Sequence, residues 1–156
     1  MLQYIATCLI IGIIATLGMT TFLWIVTRLK LCNVDMVKAI GSWYTRKEET
    51  AFLPGLLVHL TAGVLFCFAY LFLFSVLPNS EKVTFIYAIF GAGIGFVHGM
   101  VVALCLVVLV AEHHPVPKFK KAGVRVAAYH FLAHIIYGLI IGSLYIFLLG
   151  GKAANF

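Results

Sequence analysis

The sequence predicts an all-α protein, a polytopic bundle of four transmembrane helices. Three observations carry this. The chain of 156 residues is 63% hydrophobic and only 10% charged, where a soluble domain carries roughly a quarter charged residues. Its mean hydropathy is +1.11. The charges also cluster, leaving four stretches of more than twenty residues with none. A bilayer core of about 30 Å takes roughly 20 apolar residues in a helix, and only structures that satisfy their own backbone hydrogen bonds can cross it.

The first expected span is Tyr4 to Val26. Its apolar run is too long for a cleaved signal peptide, and its basic residues follow it rather than precede it. The loop behind it has structure of its own. Asn33 is placed to cap a short helix with Val34, Val37 and Ile40 on one face and Gly41 as a stop. Trp43 and Tyr44 follow, residue types that favour the headgroup level. Thr45 and Glu48 have capping-box spacing, which lets the second helix begin before the membrane does.

The second span is Phe52 to Leu77, and a tight turn at Pro78-Asn79-Ser80-Glu81 leads to the third, Val83 to Ala111. Pro115 and Pro117 keep the next loop extended. The fourth span is Val126 to Leu149. The whole chain, 1–156, reads as one integral membrane domain.

Orientation follows from Lys and Arg in the short loops. The loops after spans one and three carry nine: Arg28, Lys30, Lys38, Arg46, Lys47, Lys118, Lys120, Lys121 and Arg125. The other side carries two, Lys82 and Lys152. The basic loops are therefore expected in the cytoplasm and both termini outside it, with a bacterial plasma membrane the setting that size and simplicity suggest. The net charge of +6 then faces anionic lipid headgroups and does not imply nucleic-acid binding. Other membrane subunits or further copies of the chain are the expected protein partners. Cys8, Cys32, Cys67 and Cys105 occur singly, so neither a disulfide framework nor a zinc cage is indicated.

The two halves, 1–77 and 83–149, share a pattern. His59, Gly63 and Tyr70 recur as His134, Gly138 and Tyr145, both with the spacing H-x3-G-x6-Y. Gly12-Ile13 with Gly18-Met19 recur as Gly93-Ile94 with Gly99-Met100. A duplication would make two tandem hairpins of like orientation, related by a pseudo-twofold axis along the membrane normal. Helical spacing puts each His-Gly-Tyr set on one face. Gly91, Gly95 and Gly99 form a small-xxx-small series suited to close helix packing in lipid.

Six histidines stand in a chain with few polar groups. Intramembrane ionisable residues usually face the bundle interior and mark function. His59 and His134, at matching depth in the repeat, are expected to face each other and bind a cofactor. His98 and His130 are candidate additional metal ligands, and Glu112, His113 and His114 could make a surface metal site with His130. Imidazole suits haem b or a transition metal such as Cu, Zn or Fe. The absence of C-x-x-C-H argues against covalent haem, and the lack of intramembrane Asp or Glu argues against a di-iron carboxylate centre.

The leading expectation is a haem- or metal-binding redox subunit with a histidine-lined site on the cytoplasmic side, not an enzyme on its own. One alternative is a structural or accessory subunit, with histidines hydrogen-bonded to Tyr70, Tyr145, Tyr137 or Thr61. The other is a small proton-coupled channel or transporter relaying through His98. No P-loop, dinucleotide fingerprint, nucleophile elbow or metalloprotease motif is present.

Overall fold

A computed structural model of the chain describes residues 2–75 and 84–149. It is helical, with α1 at Leu2–Arg28, α2 at Met36–Thr45, α3 at Phe52–Phe74 and α4 at Thr84–Cys105. A π-helical turn, Leu106–Val110, continues α4 into the short α5, Ala111–His113. A 3-10 turn at Phe119–Lys121 precedes α6, Val124–Leu149. Among the described residues, four helices are long and apolar enough to cross a membrane: Gln3–Arg28, Phe52–Phe74, Phe85–His113 and Val124–Tyr145. They match the four expected spans, with the third running two residues further and the fourth starting two earlier. The expected turn at 78–81 lies outside the described residues, as do Lys82 and Lys152.

These helices are apolar all round, as helices in lipid are. Leu65 on α3, Val97 on α4 and Phe147 on α6 stand well exposed on the outer surface. Burial is confined to the inner stripes, including Ile11, Ala15 and Met19 on α1 and Tyr137, Ile141 and Tyr145 on α6.

α1 lies against both α3 and α6, and α6 packs most extensively on α4. The α3 and α4 backbones scarcely approach each other, and the two helices meet only through side chains such as Phe66 and Tyr70 against His98 and Phe74 against Phe90. The four spans thus form an arc in the order α3, α1, α6, α4, with an opening between its two ends. Under a pseudo-twofold, the α1–α6 contact would have its counterpart between α4 and α3. The packing of the two halves differs at that place. Gly12 is pressed against Val64 and Cys67, whereas nothing lies within 4 Å of a Cβ placed on Gly93. Met19 is buried while Met100 is exposed.

The tight α4–α6 contact is made by glycine. A Cβ on Gly91 would collide with the Gly138 carbonyl, on Gly95 with the His134 carbonyl, and on Gly142 with the Tyr87 carbonyl. Backbones so close gain dispersion contacts that larger residues would forbid. At the end of the bundle away from the basic loops, Phe74, Tyr87, Phe90 and Tyr145 interlock. Their ring centroids stand 5.2 Å apart for Phe74–Tyr145 and 5.0 Å for Tyr87–Tyr145, and Phe74 also meets Tyr87 and Phe90.

The basic loops depart from expectation in detail. α1 ends on Lys30 in the left-handed region, φ 58°, with the Leu31 amide donating to the Val26 carbonyl and that of Lys30 to Thr27, a Schellman closure. The Val34 amide donates to Thr27 Oγ1, which holds residues 33 and 34 outside the next helix. Asp35 rather than Asn33 therefore caps α2, accepting from the Lys38 amide. Gly41 does not stop α2. It lies mid-helix, where α2 crosses the start of α3 backbone to backbone, Gly41 on Ala51 and Gly55 on Val37. The Thr45–Glu48 capping box does not form, because Thr45 Oγ1 donates to the Lys47 carbonyl and α3 starts behind Ala51 with no side-chain cap. Glu48 instead accepts from Lys118 at 2.7 Å and Lys38 at 3.3 Å, tying the two basic loops together.

Candidate functional site: two adjoining histidine-lined chambers

The opening between α3 and α4 leads to a chamber of about 270 Å³. His59 from α3, His98 from α4 and His134 from α6 all line it, with Met19, Met36, Cys105 and Tyr137. His59 and His134 are buried and His98 half-buried. The expected pair His59/His134 does converge on one space, with His98 between the flanking rings of Phe66, Tyr70 and His134. The His98 and His134 ring centroids are 4.5 Å apart, edge to face, and Phe66 stacks on His98 at 4.1 Å.

Hydrogen bonds fix which nitrogens are free. His134 Nδ1 donates to the His130 carbonyl at 2.7 Å and His130 Nδ1 to that of Val126 at 2.8 Å. A carbonyl only accepts, so both rings are protonated at Nδ1 and carry their lone pair on Nε2. Thr20 Oγ1 gives its one proton to the Thr16 carbonyl, so it must accept from His59 Nε2 at 3.1 Å, leaving the lone pair on His59 Nδ1. The Tyr70 hydroxyl pairs with His98 Nδ1 at 3.3 Å. Tyr137 donates to the Gly63 carbonyl, joining α6 to α3 across the chamber wall. No buried side-chain N or O among the described residues lacks a partner, so the unpaired His134 Nε2 is open to the chamber rather than sealed.

A second, larger chamber of about 730 Å³ adjoins the first at the basic end. Its walls come from α2, the π turn, the 118–122 loop and the start of α6, and include His114 and His130. Met36, Ile40, Leu106 and Val110 border both chambers. A π turn is uncommon and recurs at functional sites; here it contributes Leu106 and Val110 to the partition.

The expected surface metal site is not assembled. His114 is fully buried and uses both ring nitrogens, Nε2 donating to the Ala39 carbonyl at 2.9 Å and Nδ1 accepting from the Val116 amide at 3.1 Å. It pins α2 to the second basic loop and packs on Trp43 and Phe119. Glu112 and His113 are exposed, and His113 Nδ1 donates to the Leu109 carbonyl. Among the described residues no three His, Cys, Asp or Glu side chains stand close enough together to hold a metal ion. The inner donors line a chamber and are not drawn up as a preformed site.

Sequence reasoning missed Thr20, the hydrogen-bond partner of His59. It also missed the sulfur groups of Met19, Met36 and Cys105 beside the histidines. Thr20 stands one residue from Met19 on a stripe with Thr16 and Leu23, and this polar-in-apolar periodicity of α1 was the available signal. Cys8 and Cys67 are buried, Cys32 is half-buried and Cys105 is exposed, all as free thiols.

Comparison with protein-family models, with curated proteins and with solved structures finds no match. Function must then be argued from the site itself.

Proposed function

We propose that this membrane protein binds a late transition-metal ion in its inner chamber, reached from the cytoplasmic side through the larger chamber. The observation that carries the reading is the donor chemistry of one chamber: three imidazoles, two thioethers and a thiol, with no carboxylate among the described residues that line it. Imidazole suits Cu and Zn, and sulfur ligands favour Cu(I), whereas Mg, Ca and Mn prefer oxygen. A backbone carbonyl on Nδ1 of His134 is the kind of second contact that orients a metal-ligating histidine. His59, His98 and His134 are the residues that would hold the ion, and Met19, Met36 and Cys105 would supply sulfur donors beside them.

Haem fits this chamber poorly. Its volume of about 270 Å³ lies below the roughly 300–1,000 Å³ typical of small-molecule sites, and a porphyrin would have to part α3 from α6. A proton path through the five chamber histidines is the second reading, favoured by the shared partition of the two chambers. The aromatic cluster of Phe74, Tyr87, Phe90 and Tyr145 closes the far end, and a closed end favours binding over conduction.

The test is elemental analysis of detergent-purified protein after equilibration with Cu(I) or Zn(II). Near-stoichiometric metal is expected, lost in His134→Ala and in His98→Ala and retained in His113→Ala. Folded protein that takes up neither metal, or loses it only with His113→Ala, would defeat the reading. Flux in liposomes that His98→Ala abolishes would favour the proton path.

A further inference from the structure

We infer that the larger chamber is a binding site for an anionic phospholipid of the adjoining leaflet, with an acyl chain inside and the headgroup at Lys121. The inference is independent of what occupies the inner chamber. At about 730 Å³, the space falls within the range of small-molecule sites, about 300–1,000 Å³. Its walls are mainly apolar, supplied by Val34, Met36, Ile40, Leu106, Val110 and Val126. An acyl chain entering from the leaflet would cover such walls and keep them dry.

The polar groups of the lining select the headgroup. Among the described residues Asp35 is the one carboxylate there, and it is engaged as the cap of α2. Lys118 is held by Glu48. Lys121 is exposed and forms no ion pair among the described residues, so its charge is free for a phosphate. Trp43 and Tyr44 also border the space, residue types that settle at headgroup depth. His130 is 3% exposed, and its Nε2 has no protein partner although no sealed polar atom is left unpaired. That lone pair opens onto the chamber and can accept from a lipid hydroxyl. A leaflet supplies such amphiphiles at the mouth of the site, whereas a soluble metabolite would meet mostly apolar wall.

The experiment is native mass spectrometry of the full chain released from nanodiscs of phosphatidylglycerol and phosphatidylcholine in equal parts. The expected result is one retained phosphatidylglycerol per chain in preference to phosphatidylcholine. Lys121→Gln should lower that retention about 5-fold, the effect of one basic side chain near an anionic surface. Ala39→Trp, which fills the chamber from α2, should abolish it; if that variant does not fold, the Lys121→Gln comparison decides. The inference is overturned if folded wild-type chain retains no lipid, or if it holds both lipids equally and Lys121→Gln changes nothing. Displacement of the lipid by inorganic phosphate would assign the cation to a soluble anion and overturn it as well.

Discussion

Tyr137 joins two helices through one hydroxyl, which makes it a clean place to measure a hydrogen bond in this bundle. Its ring is 1% exposed and packs edge to face on Tyr70 at 5.5 Å. Tyr137→Phe keeps that shape and removes only the bond to the Gly63 carbonyl, so unfolding in detergent should show a loss of about 0.5–1.5 kcal/mol. Glu48 is the corresponding surface case. The Lys118 ammonium hydrogen-bonded to it, with Lys38 behind, holds its carboxyl below the ordinary carboxylate range despite partial desolvation. A lowered value means that the clamp contributes fully above about pH 4.3, the unperturbed value, and is lost as pH falls through the lowered one. Proteolysis of the basic loops should therefore quicken on acidification below that point, and Glu48→Gln should make it quick at every pH. At this scale the sequence was partly legible. It marked His59, His98, His130 and His134 as interior residues by their cost in lipid, and all four border a chamber. It named Tyr70 as a histidine partner, correctly for His98. It could not name Thr20 for His59, because which rings meet across helices depends on axial rotation and depth that no spacing within one helix encodes.

Helix against helix, the glycine series decides the geometry of α4 and α6. Gly91, Gly95 and Gly99 were readable as a small-xxx-small face, and they do meet α6 backbone to backbone. Gly93 shares their helix but faces open space, a distinction that period alone supplies. Gly91→Ala must push α4 off the Gly138 carbonyl and should cost about 1–3 kcal/mol, as overpacking does. Gly93→Ala should be neutral or stabilising by up to about 1 kcal/mol, since alanine is the better helix former. Thermal melting of the two variants in one detergent checks the pair, and equal effects would refute the packing argument. The surface helix α2 shows the opposite lesson. Its existence was legible from Val34, Val37 and Ile40, but Gly41 was read as an end because glycine commonly stops a helix. In the fold that glycine is a crossing point, which only the neighbouring helix α3 could reveal. The π turn at Leu106–Val110 was not legible, since an all-aliphatic run looks the same in either helical form.

For the molecule as a whole, hydropathy sufficed to place four spans, because lipid leaves the backbone no other solution. It did not place them side by side. The arc of α3, α1, α6 and α4 arises from unequal packing: glycines draw the α4 backbone onto α6, while the α3 and α4 backbones stay apart and the chamber opens between them. Both chambers lie toward the end that bears Lys38, Lys118 and Lys121, so the side of the membrane on which those lysines sit decides which compartment supplies the ligand. The positive-inside rule assigns that end to the cytoplasm. Tyr44 is 67% exposed on α2 and Asn79 falls in sequence between the second and third spans, so a four-span topology predicts that the two positions report opposite faces. In a background carrying Cys32→Ser and Cys105→Ser, where Cys8 and Cys67 are buried, an impermeant maleimide applied to intact cells should label Asn79→Cys at once and Tyr44→Cys only after lysis. The reverse order would turn the chambers outward, and the proposed ion and lipid would then have to come from the external side.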